Sequence, residues 1–156
     1  MALQRELKKK RPFKSPQQEA ILNLLRTSDQ YQVRFARLFR PHGLTPSQYN
    51  VLRILRGEGQ PLPILEIASR TITVVPGITG LIDRLEEAGF VKRERCREDR
   101  RVIWVALTEK ARKTLAALDQ PLEELHQRLI GHLSQAERQE LIRLLEKARA
   151  GLADED

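Results

Sequence analysis

The sequence predicts a mainly α-helical chain with a single small β-hairpin. Two observations carry that class. Apolar residues recur at intervals of three and four through most of the 156 residues, while one pair of segments, 90–96 and 102–107, alternates as half-buried strands do. Proline and glycine fall between the periodic stretches, where turns are needed. A chain of this length with 40% hydrophobic residues can bury one good core but is short for two, so a single domain is expected.

Residues 1–15 hold Lys8, Lys9, Lys10 and Arg11 with little apolar periodicity, and they read as a mobile basic arm. From 16 to 40, Ile21, Leu24, Leu25, Tyr31, Phe35, Leu38 and Phe39 fall on one helical face, and Pro41 and Gly43 stop that helix. Thr45 is an N-cap followed by proline at the first helical position; Tyr49, Val51, Leu52 and Leu55 supply the next face as far as Gly57 and Gly59. An extended piece at 60–63 leads into a short helix over 64–70 and a turn around 71–75. Pro76 then opens a helix that Gly89 closes. Its Ile78, Leu81, Ile82 and Leu85 face inward, leaving Gly77, Gly80, Asp83, Arg84 and Glu87 outside and Thr79 at the border.

In the hairpin Ile103, Val105 and Leu107 share one face and Trp104 takes the other, with Arg97, Glu98, Asp99, Arg100 and Arg101 at the tip. Thr108 caps a long helix with a seam of Ala111, Leu115, Leu118, Leu122, Leu125, Leu129 and Leu133, which Pro121 should bend. Ser134 and Glu137 form a capping box for a last helix with Leu141, Leu144, Leu145 and Ala148 inside, before an acidic frayed end at 153–156. The end helices carry more apolar stripe than one small module can cover, which points to a second copy of the chain.

Two short helices joined by a turn and followed at once by a basic hairpin describe a winged helix-turn-helix, which sets a helix in one groove of a duplex and a hairpin in the next. Composition agrees. Lys and Arg outnumber Asp and Glu by 28 to 21, a formal charge of +7 that favours anionic partners, nucleic acid before membrane. Aromatic residues make up only 4%, too few for the stacking platforms of single-strand binders. No segment approaches the roughly 20 apolar residues of a membrane span, and the first eleven residues lack a secretory signal, so a cytoplasmic protein with no membrane partner is expected. The single Cys96 excludes an intrachain disulfide framework and leaves an intersubunit bridge or a reactive thiol open.

The run from Pro76 to Arg93, PGITGLIDRLEEAGFVKR, and the run from Asp99 to Lys110, DRRVIWVALTEK, resemble the recognition helix and wing of MarR/SlyA-type transcriptional regulators. Element order extends the resemblance over residues 16–152. The resemblance implies a single MarR-like domain over 16–156 after the basic arm at 1–15. Within it, 16–40 and 109–153 would be dimerisation helices and 45–108 the DNA-binding lobe. It implies a homodimer on a pseudo-palindromic double-stranded operator, acting as a repressor released by a small aromatic or anionic effector or by oxidation, with no cofactor and no metal.

Among individual residues, Gly77, Thr79, Gly80 and Arg84 are expected in the major groove. Small side chains there let the backbone approach but make few bidentate base contacts, so part of the preference would come from DNA shape. Family members usually carry a longer polar or basic side chain where Gly80 stands. Arg84 is the cation placed to reach a phosphate, against the alternative of a pair with Glu87 at i+3. In the wing, Arg101 matches the family arginine that enters the minor groove and Asp99 the acid that orients it, while Arg97 and Arg100 are expected on phosphates. Ser69, Arg70 and Thr73 are weaker backbone candidates. An effector pocket in the family position would bring Phe35, Phe39, His42 and Tyr49 into range, residues that read equally as core.

The same residues bear on other function classes. No HExxH, CxxC, GxSxG or P-loop is present, and His42, His126 and His132 share no helical face, so an enzyme is not expected. A sequence-neutral architectural DNA-binding protein would use the same basic surface. A thiol-based redox-sensing regulator through Cys96 is open because Arg95 and Arg97 flank it and cations lower thiol pKa values, although peroxide-sensing relatives place the reactive cysteine near the N-terminal helix.

Overall fold

Residues 2–152 are described in this computed structural model, and the chain divides into two compact units, Met1–Ala116 and Ala117–Asp156. The acidic end expected at 153–156 lies outside the described residues. Contrary to the mobile arm expected at 1–15, the first unit begins with a short helix, α1 (Ala2–Glu6). Its Leu3 is only 4% exposed, Gln4 donates to the Lys9 carbonyl at 3.3 Å, and Glu6 lies 4.0 Å from Arg26. A single Leu3/Leu7 pair at i, i+4 is too short to register as periodicity, and so short a helix needs tertiary burial to persist.

The long helices start where the capping chemistry places them. Ser15 accepts from the Gln18 amide at the head of α2 (Pro16–Phe39), and Thr45 and Gln48 form a complete capping box on α3 (Pro46–Glu58). A 3-10 turn at Arg40–His42 separates them. Strand β1 (Leu62–Pro63) then leads into α4 (Ile64–Ser69). Helix α5 spans Ile78–Glu87, so it begins two residues after Pro76, which was expected to open it. Gly77 explains the delay. Its backbone is left-handed, with φ of 69°, a conformation that glycine adopts freely and that cannot belong to the helix itself.

Gly89, also left-handed, closes the helix, and the chain enters β2 (Val91–Arg95), the wing tip and β3 (Ile103–Leu107). The sheet is antiparallel in the order β1-β3-β2, with Leu62 opposite Val105 and Arg93 opposite Val105 on the other side. Val51, Leu52, Ile67, Ile82, Leu85, Val105 and Leu115 are fully buried, so α3, α4, α5, β3 and the start of α6 (Glu109–Ile130) share one core. Thr108 anchors that start. Its hydroxyl donates to the Gly89 carbonyl at 2.6 Å and accepts from the Ala111 amide at 3.2 Å, while Lys110 donates to the Ala88 carbonyl at 2.6 Å.

Helix α6 continues through Pro121, which leaves the Ala117 carbonyl without its helical donor, next to the division between the units. In the second unit the rest of α6 is followed by α7 (Gln135–Ala150), headed by the expected capping box of Ser134 and Glu137. No residue of α7 is buried, and Leu144, expected inside, is 48% exposed. Periodicity marks a face that can be covered; burial also requires a surface opposite it.

One side chain joins the hairpin to the helix before it. Arg93 on β2 lies 2.5 Å from Asp83 and 3.0 Å from Glu86 on α5, and the Arg93 amide donates to Glu86 at 2.9 Å. Because β2 is an edge strand, that amide has no ladder partner and the Glu86 carboxylate satisfies it. No ion pair joins Arg84 to Glu87, the i+3 alternative for that arginine; Asp83 and Glu86 are the acids in use, both with Arg93. Hydrogen bonds from the Arg93 side chain, then from its amide, hold the Glu86 carboxyl below its ordinary value.

A folded-state carboxyl pKa below the unfolded one contributes stability that is present above the unfolded value and is lost as pH falls through the folded value. Chemical denaturation of wild type and Glu86→Gln should therefore differ at neutral pH and converge well below pH 4.5, the ordinary glutamate value. A difference that persisted unchanged in acid would contradict the ion pair. In the core, Ile82→Ala should cost about 2 to 5 kcal/mol by urea unfolding, the usual range for an emptied aliphatic site. A cost under about 1 kcal/mol would show that the site collapses around the deletion.

Candidate nucleic-acid interface

The outer face of α5 is small-featured, as its sequence requires. Gly77 and Thr79 are exposed, and Gly80 is half-buried. A Cβ built at Gly80 would meet only the Arg84 guanidinium, at 3.7 Å, so glycine is not demanded by crowding there. The Arg84 side chain instead folds back along the helix and occupies the space beside Gly80. Arg84 is exposed and makes no ion pair among the described residues. The Gly77 position is different, since its φ rather than a close contact calls for glycine.

At the wing tip, Asp99 organises the turn. Its carboxylate accepts from the Arg101 amide at 3.0 Å and from Arg101 Nε at 3.2 Å, and its carbonyl accepts from the Val102 amide at 3.0 Å. Arg101 is nevertheless 92% exposed, so the acid aims the guanidinium outward without burying it. Arg97 and Arg100 are exposed on the same tip. The structure brings Thr79 and Arg101 together. They border one open cavity of about 260 Å³, with Pro63, Leu65 and Ile103, between the start of α5 and the base of the wing.

Two of the three residues around the helix-turn-helix turn, Ser69 and Arg70, bond within the lobe. The Ser69 hydroxyl donates to the Glu66 carbonyl at 2.8 Å. Arg70 donates to Glu58 at 2.6 Å and to Glu66 at 2.9 Å, tying the end of α3 to α4. Those bonds, the one to Glu58 first, raise the Arg70 pKa, and the Glu58 carboxyl is held low by Arg70 and then by Gln60. The i,i+4 spacing of Glu66 and Arg70 is visible in the sequence, whereas the second partner, Glu58, is twelve residues away and only folding brings it to the guanidinium. Thr73 is exposed.

The Cys96 thiol is pushed below its ordinary value, though not by the flanking arginines. The backbone amides of Asp99 and then Glu98 donate to it, the Trp104 indole adds a weaker bond, and burial together with the Glu98 carboxylate opposes them. The cause is the curl of the wing tip, which points successive amides at one atom. Of the aromatics expected near an effector, Phe39 and Tyr49 are buried core residues stacked at 4.3 Å between ring centres, and the half-buried Phe35 stacks on Phe39 at 6.3 Å. His42 sits in the 3-10 turn. Among the described residues no helix is long and apolar enough to cross a membrane, and no three acidic, histidine or cysteine side chains gather as a metal site.

Comparison with known proteins places this geometry. The MarR family model matches residues 44–103, which span α3, α4, α5, β2 and the wing tip as far as the first residue of β3. A MarR transcription factor of Planctomyces limnophilus is 43% identical in sequence, and the match covers 86% of this chain and 98% of that one with a TM-score of 0.67. The transcriptional repressor IacR of Pseudomonas putida is 32% identical over 123 residues, 79% of this chain and 73% of the repressor. BpsR of Bordetella bronchiseptica, whose DNA binding is regulated by 6-hydroxynicotinic acid, is 25% identical, with 83% of this chain and 98% of BpsR covered and a TM-score of 0.74. With a winged helix-turn-helix of this architecture and relatives this similar over about three quarters or more of their length, the chain belongs to the MarR family of DNA-binding transcriptional regulators, which are transcription factors and not enzymes.

Proposed function

We propose that this protein is a homodimeric repressor that reads a pseudo-palindromic operator and is released by a small aromatic or anionic effector. The observation that carries the reading is the wing tip, where Asp99 holds an almost fully exposed Arg101 outward on the same side as Thr79 of α5. In this reading residues 16–156 act as one MarR-like domain with its DNA-binding lobe at 45–108. Helix α5 enters the major groove with Gly77, Thr79 and Gly80 against the bases and Arg84 toward a phosphate. Arg101 enters the minor groove, where a narrow A·T-rich tract concentrates negative potential, and Arg97 and Arg100 bind flanking phosphates. Ser69 and Thr73 stay as backbone contacts, whereas Arg70 serves by fixing α4 against α3.

Dimerisation is supported by apolar side chains with no cover in a single chain. Ile21, Leu24 and Leu25 are exposed on α2, and Ile142 and Leu144 on α7. Two-fold symmetry would set the half-sites about one helical turn apart, matching a palindrome. Repression by occupying promoter DNA is supported by the similarity to IacR, and effector release by the similarity to BpsR.

Sequence preference separates this function from an architectural one, because specific binders gain about a thousandfold or more over random DNA. Duplexes enriched from a randomised pool by the full-length protein should show that gain; equal affinity for unselected DNA would favour the architectural reading. On an enriched duplex, Arg101→Ala should weaken binding by about tenfold to a hundredfold, the order of one lost guanidinium contact in a groove. Unchanged affinity in a folded variant would remove Arg101 from the interface. Arg97→Ala should weaken all duplexes alike and lower the salt slope by about one. Sedimentation at micromolar concentration should give twice the 18.0 kDa chain mass, and a single-chain mass would reject the dimer.

A further inference from the structure

The loop between α4 and α5 carries apolar surface that the fold leaves uncovered. Ile72 is 79% exposed and Val74 94%, the highest value for any large apolar side chain among the described residues. Leu65 on α4, 81% exposed, borders the cavity shared by Thr79 and Arg101. Connecting segments ordinarily carry polar residues, and apolar side chains displayed in solvent are a liability unless they meet something.

This loop presents its side chains from a fixed stem. At its start the Thr71 hydroxyl donates to the Ala68 carbonyl at 3.0 Å, and Arg70 is locked on Glu58 and Glu66. At its end the left-handed Gly77 leads directly into α5. Ile72 and Val74 are both β-branched, so their χ1 angles are already restricted and little side-chain freedom is lost on contact. They stand at the N-terminal end of the helix whose first residues, in a helix-turn-helix, meet base edges. The first turn of α5 itself offers Thr79 and Gly80 outward, neither of which can make a bidentate hydrogen bond to a base. The apolar feature in the major groove is the thymine C5-methyl group.

We propose that Ile72 and Val74 are specificity-determining residues that pack against thymine methyl groups of the operator, so that base readout at this end of α5 is by apolar contact. The proposal rests on the reading of α5 as the helix in the major groove. It predicts that a thymine at a fixed half-site position is selected for its methyl group and not for its hydrogen-bonding edge.

Deoxyuridine tests this directly, because it pairs as thymine does and lacks only that methyl. The full-length protein is used to enrich duplexes from a randomised pool, and the affinity of an enriched duplex is compared with that of copies carrying deoxyuridine for single thymines. Wild type should bind one or two such copies about three- to tenfold more weakly, the worth of a buried methyl group. Val74→Ala or Ile72→Ala, or the two combined, should bind the thymine and deoxyuridine duplexes equally, with the thermal transition of wild type. Equal binding of both duplexes by wild type, or an undiminished deoxyuridine penalty in the double variant, overturns the proposal and leaves the regulator reading standing. If no duplex is enriched at all, the sequence-specific reading fails and the proposal falls with it.

Discussion

Arg93 is the residue through which the wing and the helix before it become one body. A two-stranded hairpin is marginal by itself, and here the hairpin leans on a ten-residue helix that is itself too short to stand alone. The Arg93 guanidinium reaches both Asp83 and Glu86, and its own amide is completed by the same Glu86 carboxylate. Planar, forked donors suit this double contact better than a lysine would. The two elements that would address adjacent grooves thus keep a common frame, and the spacing between them is set by side-chain geometry as well as by the core.

A second clamp repeats the principle one step earlier in the chain. Arg70 binds Glu58 and Glu66 and so fixes α4 on α3, and Thr108 and Lys110 bind the carbonyls at the corner between α5 and β2. Polar anchors therefore sit where elements change direction, while the aliphatic core of Leu52, Ile67, Ile82 and Val105 fills the space between. The outward display on α5 and at the wing tip is different: Arg84, Arg97 and Arg100 are exposed, and Arg101 is held only by Asp99 of its own turn and stays 92% exposed. The cations available to an anionic partner are those not needed to hold the fold, which is the division a +7 chain requires if it is to be both folded and attractive to phosphate. Thr71 and Gly77 do the same for the apolar loop, holding its ends while Ile72 and Val74 project.

Much of the outline was legible from short-range chemistry. Ser134 with Glu137, Thr45 ahead of Pro46, the charged run between alternating segments and the placement of Leu81, Ile82 and Leu85 inside α5 all read correctly from residues within a turn of one another, while Ile78, expected with them, is half-buried. The start of α5 did not, because Pro76 looks like a first helical residue until the left-handed Gly77 is seen to intervene. Helix α1 was missed for the opposite reason: Leu3 and Leu7 give too little pattern, and burial of Leu3 makes the difference. The low thiol pKa at Cys96 was attributed to arginines adjacent in sequence, whereas amides curled around it at the wing tip produce it.

The sequence by itself determined the order and type of the elements from α2 onward and the residues with which the wing tip ends, since caps, periodicity and turn residues act over a few positions. Only the tertiary structure decided which charges are spent inside the lobe and which are displayed. Arg70 and Arg84 are equally plausible phosphate contacts as residues in a chain, yet one is taken by Glu58 and Glu66 and the other is left along the face of α5. An ion pair between elements depends on where folding puts carboxylates seven or twelve residues away, and no local pattern carries that information.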